Sequence, residues 1–193
     1  VYKFNSCGKI AFSIYLWEKE MKKLIGLLGA FLVLGAAVFA ADPAAGLWKS
    51  IDDKTGEVTA IWKIYEKDGM LFGTIAATTN DPQDVIADSC KESYKGFPVA
   101  GAVNKMKTVG TPWIFNMQKV SEGNWKGGNI IDPSNGKMYG CVIRFMKAGS
   151  DKKAKTDTLA MAGTVGPIKV FQYWVPATEA DVAEAQKKNP AKN

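Results

Sequence analysis

The sequence predicts an all-β chain, an up-and-down antiparallel β-barrel of eight or nine strands with a short C-terminal helix. Three observations predict it. Apolar residues recur with a period of two rather than 3.6. Turn-forming clusters separate the runs at hairpin spacing. Aromatic residues gather on one face of the runs, and closing such a sheet into a barrel buries that face and removes both exposed edges.

The expected strands cover 46–52, 58–66, 70–77, 99–107, 112–119, 124–131, 137–147, 155–163 and 167–175. In the second, Val58, Ala60, Trp62 and Ile64 alternate with Thr59, Ile61, Lys63 and Tyr65. In the fifth, Trp113, Phe115 and Met117 alternate with Ile114, Asn116 and Gln118; in the seventh, Tyr139, Cys141, Ile143 and Phe145 alternate with Gly140, Val142, Arg144 and Met146. Asp52-Asp53-Lys54-Thr55-Gly56, Lys67-Asp68-Gly69 and Asp132-Pro133-Ser134-Asn135-Gly136 supply residues that tolerate positive φ or initiate a turn. Gly127-Gly128 lies inside a strand pattern, where it indicates a bulge or a close backbone approach and not a phosphate loop. Residues 78–97 form one long irregular connection, a length that is uncommon and often functional. After Pro176, Thr178 reads as an N-cap with Glu179 and Asp181 in the first turn of a helix over 179–188, ahead of a polar tail.

The front of the chain reads differently. Met21–Ala40 has a positive start (Lys22, Lys23), an unbroken apolar run Leu24–Val38 and small residues at Val38 and Ala40. This is the pattern of a secretory signal peptide cut before Ala41; as a membrane anchor it is barely long enough, holds three glycines and has no positive flank after it. Residues 1–20 are expected to be spurious upstream sequence with Met21 as the true start, since Trp17-Glu18-Lys19-Glu20 is encodable by a purine-rich stretch resembling a ribosome-binding site. The expected organisation is therefore a leader (1–20), a signal peptide (21–40), a barrel domain (41–177) and a helix with a polar tail (178–193). The product is expected to be periplasmic or secreted and not an integral membrane protein after cleavage.

Composition narrows the chemistry. The 193 residues contain no histidine, which excludes Ser-His-Asp triads, Cys-His dyads and His-ligated zinc. The first forty residues hold five lysines and two acids, leaving 20 basic and 17 acidic residues, net +3. No basic stripe is interleaved with aromatics, so nucleic acid is not an expected partner. Asp84, Asp88 and Glu92 share the long connection but lack the spacing of an EF-hand loop; a solvated acidic loop is expected, with no metal, cofactor or recognisable catalytic constellation. Cys7 falls in the leader, which leaves Cys90 and Cys141 as one disulfide pairing suited to an oxidising compartment. Two buried thiols are the alternative.

Five tryptophans follow residue 40: Trp48, Trp62, Trp113, Trp125 and Trp174. The candidate ligand-binding interior comprises Trp48, Trp62, Ile64, Phe72, Trp113, Phe115, Tyr139, Phe145 and Trp174. Two readings stand: a pocket for a small apolar or aromatic ligand in the barrel mouth, with 78–97 shaping that mouth, or a barrel filled by these rings and acting as an envelope protein–protein interaction module.

Gly46-Leu47-Trp48 resembles the G-x-W opening of lipocalin-like barrels, whose tryptophan packs across the closed end. Trp125-Lys126-Gly127-Gly128-Asn129-Ile130-Ile131-Asp132-Pro133-Ser134-Asn135-Gly136-Lys137-Met138-Tyr139-Gly140-Cys141 resembles the signature of domain-of-unknown-function family 2147, small exported bacterial proteins with a lipocalin-like barrel. The segments 64–73 and 95–99 and Gln172-Tyr173-Trp174 fit the same family. The resemblance spans about 43–176 and implies no established activity. It implies a C-x-x-C pair in the long loop, of which Cys90 matches the second member while Ala87 replaces the first. It also implies a basic residue stacked on the first tryptophan, for which Lys169 is the available substitute.

Overall fold

The computed structural model describes residues 41–192; the expected signal peptide, the expected leader with Cys7 and the choice of start codon lie outside the described residues. Eight antiparallel strands follow one another around a closed barrel. They are β1 (Gly46–Ile51), β2 (Val58–Lys67), β3 (Met70–Thr78), β4 (Pro112–Ser121), β5 (Asn124–Asp132), β6 (Lys137–Met146), β7 (Thr158–Val165) and β8 (Ile168–Pro176), with helix α1 (Glu179–Lys188) after them. The barrel closes where Trp48 and Lys49 of β1 pair with Pro176 and Val175 of β8. The expected hairpins are present, with Asp68 and Gly69 at positive φ in the β2–β3 turn. Among the described residues no helix is long and apolar enough to cross a membrane.

The ninth strand, expected over 99–107, is absent. That segment holds only a 3-10 turn, Val103–Lys105, and one bridge, Ile86 to Lys107. Its backbone pairs within the connection, Val103 N–H to Glu92 O and Ala87 N–H to Met106 O, and Gly101 at φ 109 leaves the extended conformation. Residues 79–111 are thus one long loop that packs on the outer side of β4 through Phe97 and reaches the open end of the barrel through Asp81 and Asp88.

Bulges decide which face each strand turns inward. Gly73 pairs with Ile114 and Leu71 with Met117, so β4 carries one extra residue there, and Asn116 in that stretch has φ 57. A Cβ on Gly73 would lie 2.7 Å from Ile64 and 3.1 Å from Ile114, which puts Ile114 on the inner face. Successive strand residues face opposite ways, so Trp113 and Phe115 point outward, and the bulge turns Met117 back in. A matching bulge in β5 falls at Gly127, φ 78. Gly128 then approaches β4 so closely that a Cβ would overlap the Phe115 carbonyl, the close approach the glycine pair foreshadows.

Helix α1 is not a free arm. Val182 and Ala185 are buried against Ile61 and Ala77 on the outer face of β2 and β3. Thr178 and Asp181 form a reciprocal capping box. Lys49 Nζ reaches Asp181 at 2.7 Å, and that contact leads the effects holding the Asp181 carboxyl down at about 2.

Candidate functional site

The barrel interior divides in two along its axis. The closed half is solid. Trp48, Ile64, Leu71, Met117, Trp125, Ile143 and Leu159 are buried within one core, and Trp48 packs edge-to-face on Phe145 at 6.2 Å. The turn before β1 plugs this end. Its Asp42 side chain has no solvent exposure. It accepts hydrogen bonds from Ala44 N–H (3.0 Å), Gly123 N–H (3.1 Å) and Trp125 Nε1 (3.1 Å), and Lys119 Nζ lies 3.0 Å away. Burial pushes the Asp42 carboxyl up, but those hydrogen bonds and Lys119 outweigh it and hold the carboxyl below its usual value. Lys119 also lies 5.1 Å over the Trp125 ring. Among the described residues the cation stacked on a tryptophan is therefore Lys119 on Trp125; Lys169, the expected substitute on Trp48, stands exposed on β8.

The open half is hollow. A cavity of about 870 Å³ extends from the β1, β3, β5 and β7 ends inward. Trp62 and Trp174, stacked at 5.0 Å, lie at the deepest points on β2 and β8 that reach it. Ile75, Ile130, Tyr139 and Met161 form the walls, and Ser50, Thr78 and Thr108 add hydroxyls. The mouth carries Asp52, Asp81, Asp88 and Asp132, and among the described residues no lysine or arginine lines the cavity. Backbone N–H groups of Thr55 and Lys54 hold the Asp52 carboxyl below its usual value. The β7–β8 hairpin raises an apolar lip, with Val165, Ile168 and Val170 each more than 60% exposed.

The nine residues expected to line one pocket separate into three groups. Trp62, Tyr139 and Trp174 line the cavity. Trp48, Ile64 and Phe145 belong to the solid half. Phe72, Trp113 and Phe115 do not face the interior. Phe72 pairs across from Tyr65 on the outer face and stacks on it at 5.9 Å. Trp113 and Phe115 are buried by the long loop, whose Phe97 packs on both rings and whose Thr108 carbonyl accepts the Trp113 indole N–H at 2.7 Å. Residues missed from sequence include Ile75, Ile130 and Met161; they are ordinary strand residues, and only inward register at the mouth end distinguishes them. Asp42 was also missed, since nothing local distinguishes it from another acid before a proline.

The expected disulfide is not formed: Cys90 and Cys141 are both free thiols. Cys90 packs over Gly136, the turn residue at φ 65 whose absent Cβ admits the Ser89 carbonyl. Cys141 lies four residues into β6, about 13 Å along the strand at 3.3 Å per residue, beyond the reach of a disulfide. Burial pushes the Cys141 thiol up to about 12. Burial also raises the Cys90 thiol, helped by Asp132 and Asp88 against the opposing Tyr94 contact. Among the described residues no three Cys, Asp or Glu side chains converge as metal ligands; Asp84 accepts the Lys192 backbone N–H at 2.9 Å.

A family profile described as "Uncharacterized protein conserved in bacteria (DUF2147)" matches residues 46–175. No curated protein matches the chain. The solved structure of protein HP1028 from the human pathogen Helicobacter pylori, described as belonging to the lipocalin family, is similar in fold, with a TM-score of 0.56 and 12% sequence identity. The similarity covers 74% of this chain and 88% of that one.

Proposed function

The chain belongs to the bacterial family DUF2147, and from the interior of its lipocalin-like barrel we propose that it is an exported carrier or sensor of a small apolar or aromatic molecule. One observation carries the reading: the cavity of about 870 Å³ is floored by the stacked Trp62 and Trp174. Binding pockets of this size are typically concave with apolar walls; here Trp62, Ile75, Ile130, Met161 and Trp174 give the inner part that character, while the mouth is polar and acidic. The proposal assigns no catalytic step. Export rests on the signal-like segment 21–40.

The test is a titration of tryptophan emission with a broad panel of neutral and charged aromatic probes. Saturable quenching that is lost in Trp174→Ala supports the carrier reading. Absence of any saturable change across the panel overturns it. The exposed Val165, Ile168 and Val170 favour a second reading, a partner protein docked on the mouth; its signature is a pull-down from envelope extract that fails for Ile168→Asp.

A further inference from the structure

A second feature of the cavity concerns which molecule it takes. Four of the five indole N–H groups after residue 40 have a protein acceptor: Trp48 the Ala44 carbonyl, Trp113 the Thr108 carbonyl, Trp125 Asp42 and Trp174 the Gln172 side chain. Trp62 has none among the described residues, although its side chain lines the cavity and the residue is only 6% exposed. Asn104 Oδ1 is the one sealed side-chain polar atom there without a partner. The Trp62 N–H is therefore not sealed, and the space open to it is the cavity. Largely buried indole N–H groups usually find an acceptor, and for Trp62 that acceptor comes from the cavity, as water or as a ligand.

Other donors join it. Gln172 spends its oxygen on Trp174, which leaves its NH₂ free beside the same floor. Thr108, on the loop side of the cavity, has both backbone groups paired, and its hydroxyl, able to donate or accept, has no partner among the described residues. Trp62 and Gln172 thus offer N–H donors at the inner end, while among the described residues acids without a counter-cation in the lining occupy the mouth. A carboxylate ligand would gain from the donors but would have to enter past, and lie near, like charge in a partly dehydrated space, where repulsion costs most.

We propose that the cavity selects an uncharged aromatic or amphiphilic carbonyl compound, whose ring stacks on Trp62 and Trp174 and whose oxygen accepts the Trp62 N–H, and that it discriminates against carboxylates such as fatty acids. This rests on the carrier reading above and names its ligand class. Trp62 is the orienting donor, and the acidic mouth is the filter.

The experiment is calorimetric titration of the full chain with three near-isosteric probes: acetylnaphthalene, ethylnaphthalene and naphthoate. The Trp62→Phe variant keeps an aromatic ring against Trp174 but loses the N–H and the second ring of the indole, and ethylnaphthalene controls for the lost ring area. A neutral hydrogen bond contributes about 0.5–1.5 kcal/mol net, roughly two- to tenfold in affinity. Acetylnaphthalene should therefore weaken by about fivefold in Trp62→Phe, while ethylnaphthalene changes less than twofold. Naphthoate should bind at least tenfold more weakly than acetylnaphthalene and recover in the Asp81→Asn, Asp88→Asn double variant. Thermal unfolding of Trp62→Phe without ligand should fall only by what the lost ring area against Trp174 accounts for, because no acceptor among the described residues is left unpaired. Binding of the ketone that Trp62→Phe leaves unchanged, or naphthoate binding as well as the ketone, overturns the inference and leaves the carrier reading standing. Failure of all three probes to bind the parent chain, with the broad panel also negative, overturns both.

Discussion

The two halves of the barrel are built from the same eight strands, yet they treat buried polar groups in opposite ways. In the closed half the Asp42 carboxylate gathers two backbone N–H groups, the Trp125 indole and the Lys119 ammonium, and every polar atom named there has a protein partner. In the open half Trp62 and Gln172 keep donors free, and hydroxyls and acids face a hollow. Satisfied networks rigidify a core, and unsatisfied ones wait for a ligand or water. The difference separates the part of the molecule that holds the fold from the part that is free to bind.

The largest expected effect sharpens that division through truncation. Trp125 is 1% exposed and tightly surrounded, so Trp125→Ala should cost about 4 kcal/mol of unfolding free energy in a urea titration. Met161 borders the cavity and already lacks neighbours on one side. Met161→Ala should cost about 2 kcal/mol or less, at the lower end for such changes. Equal costs would mean that the hollow collapses in solution and the two halves are alike.

A middle-sized effect addresses the mouth alone. Gly136 has φ 65, and a Cβ there would overlap the Ser89 carbonyl. Gly136→Ala should lift the loop at Ser89 and Cys90 from the β5–β6 turn at a cost of about 1–3 kcal/mol. Amide exchange should speed up across 79–111 while β6 and β7 stay protected. Uniform loss of protection would show that loop and barrel unfold as one unit.

The smallest effect is a pH dependence of the plug. The Asp42 carboxyl is held below its usual value in the folded chain. Its contribution is therefore fully present above the unfolded carboxylate value near about 3.9, and it is lost as pH falls through the lower folded value. Asp42→Asn removes the ion pair and one acceptor, and should cost about 1–2 kcal/mol at neutral pH. It should also flatten the acid limb of the stability profile. A parallel downward shift with the same acid limb would assign that limb to other carboxylates.

Much of the architecture is legible in the chain. Eight of the nine expected strands and the helix after Thr178 are present, because hairpin turns and local alternation are short-range signals. The extra strand over 99–107 was misread because apolar residues in a loop that coats a barrel look like strand residues; Val103 is 1% exposed without belonging to the sheet. The candidate site was less legible. Alternation sorts residues onto two faces but does not say which face is inner, and a single bulge at Asn116 exchanges them. Trp113 and Phe115 were placed inside on aromatic character, yet the long loop gives them an outer core of their own.

The chain by itself determined the antiparallel order of strands, the turn positions, the capped helix and the absence of histidine chemistry, because each depends on residues close in sequence. Only the tertiary structure decided that one half of the barrel is filled and the other hollow, that Cys90 and Cys141 stay apart, and that Trp62 alone among the indoles after residue 40 has no acceptor for its N–H among the described residues. Those outcomes depend on register, bulges and the path of a 33-residue loop over 79–111, where contacts distant in sequence set the geometry.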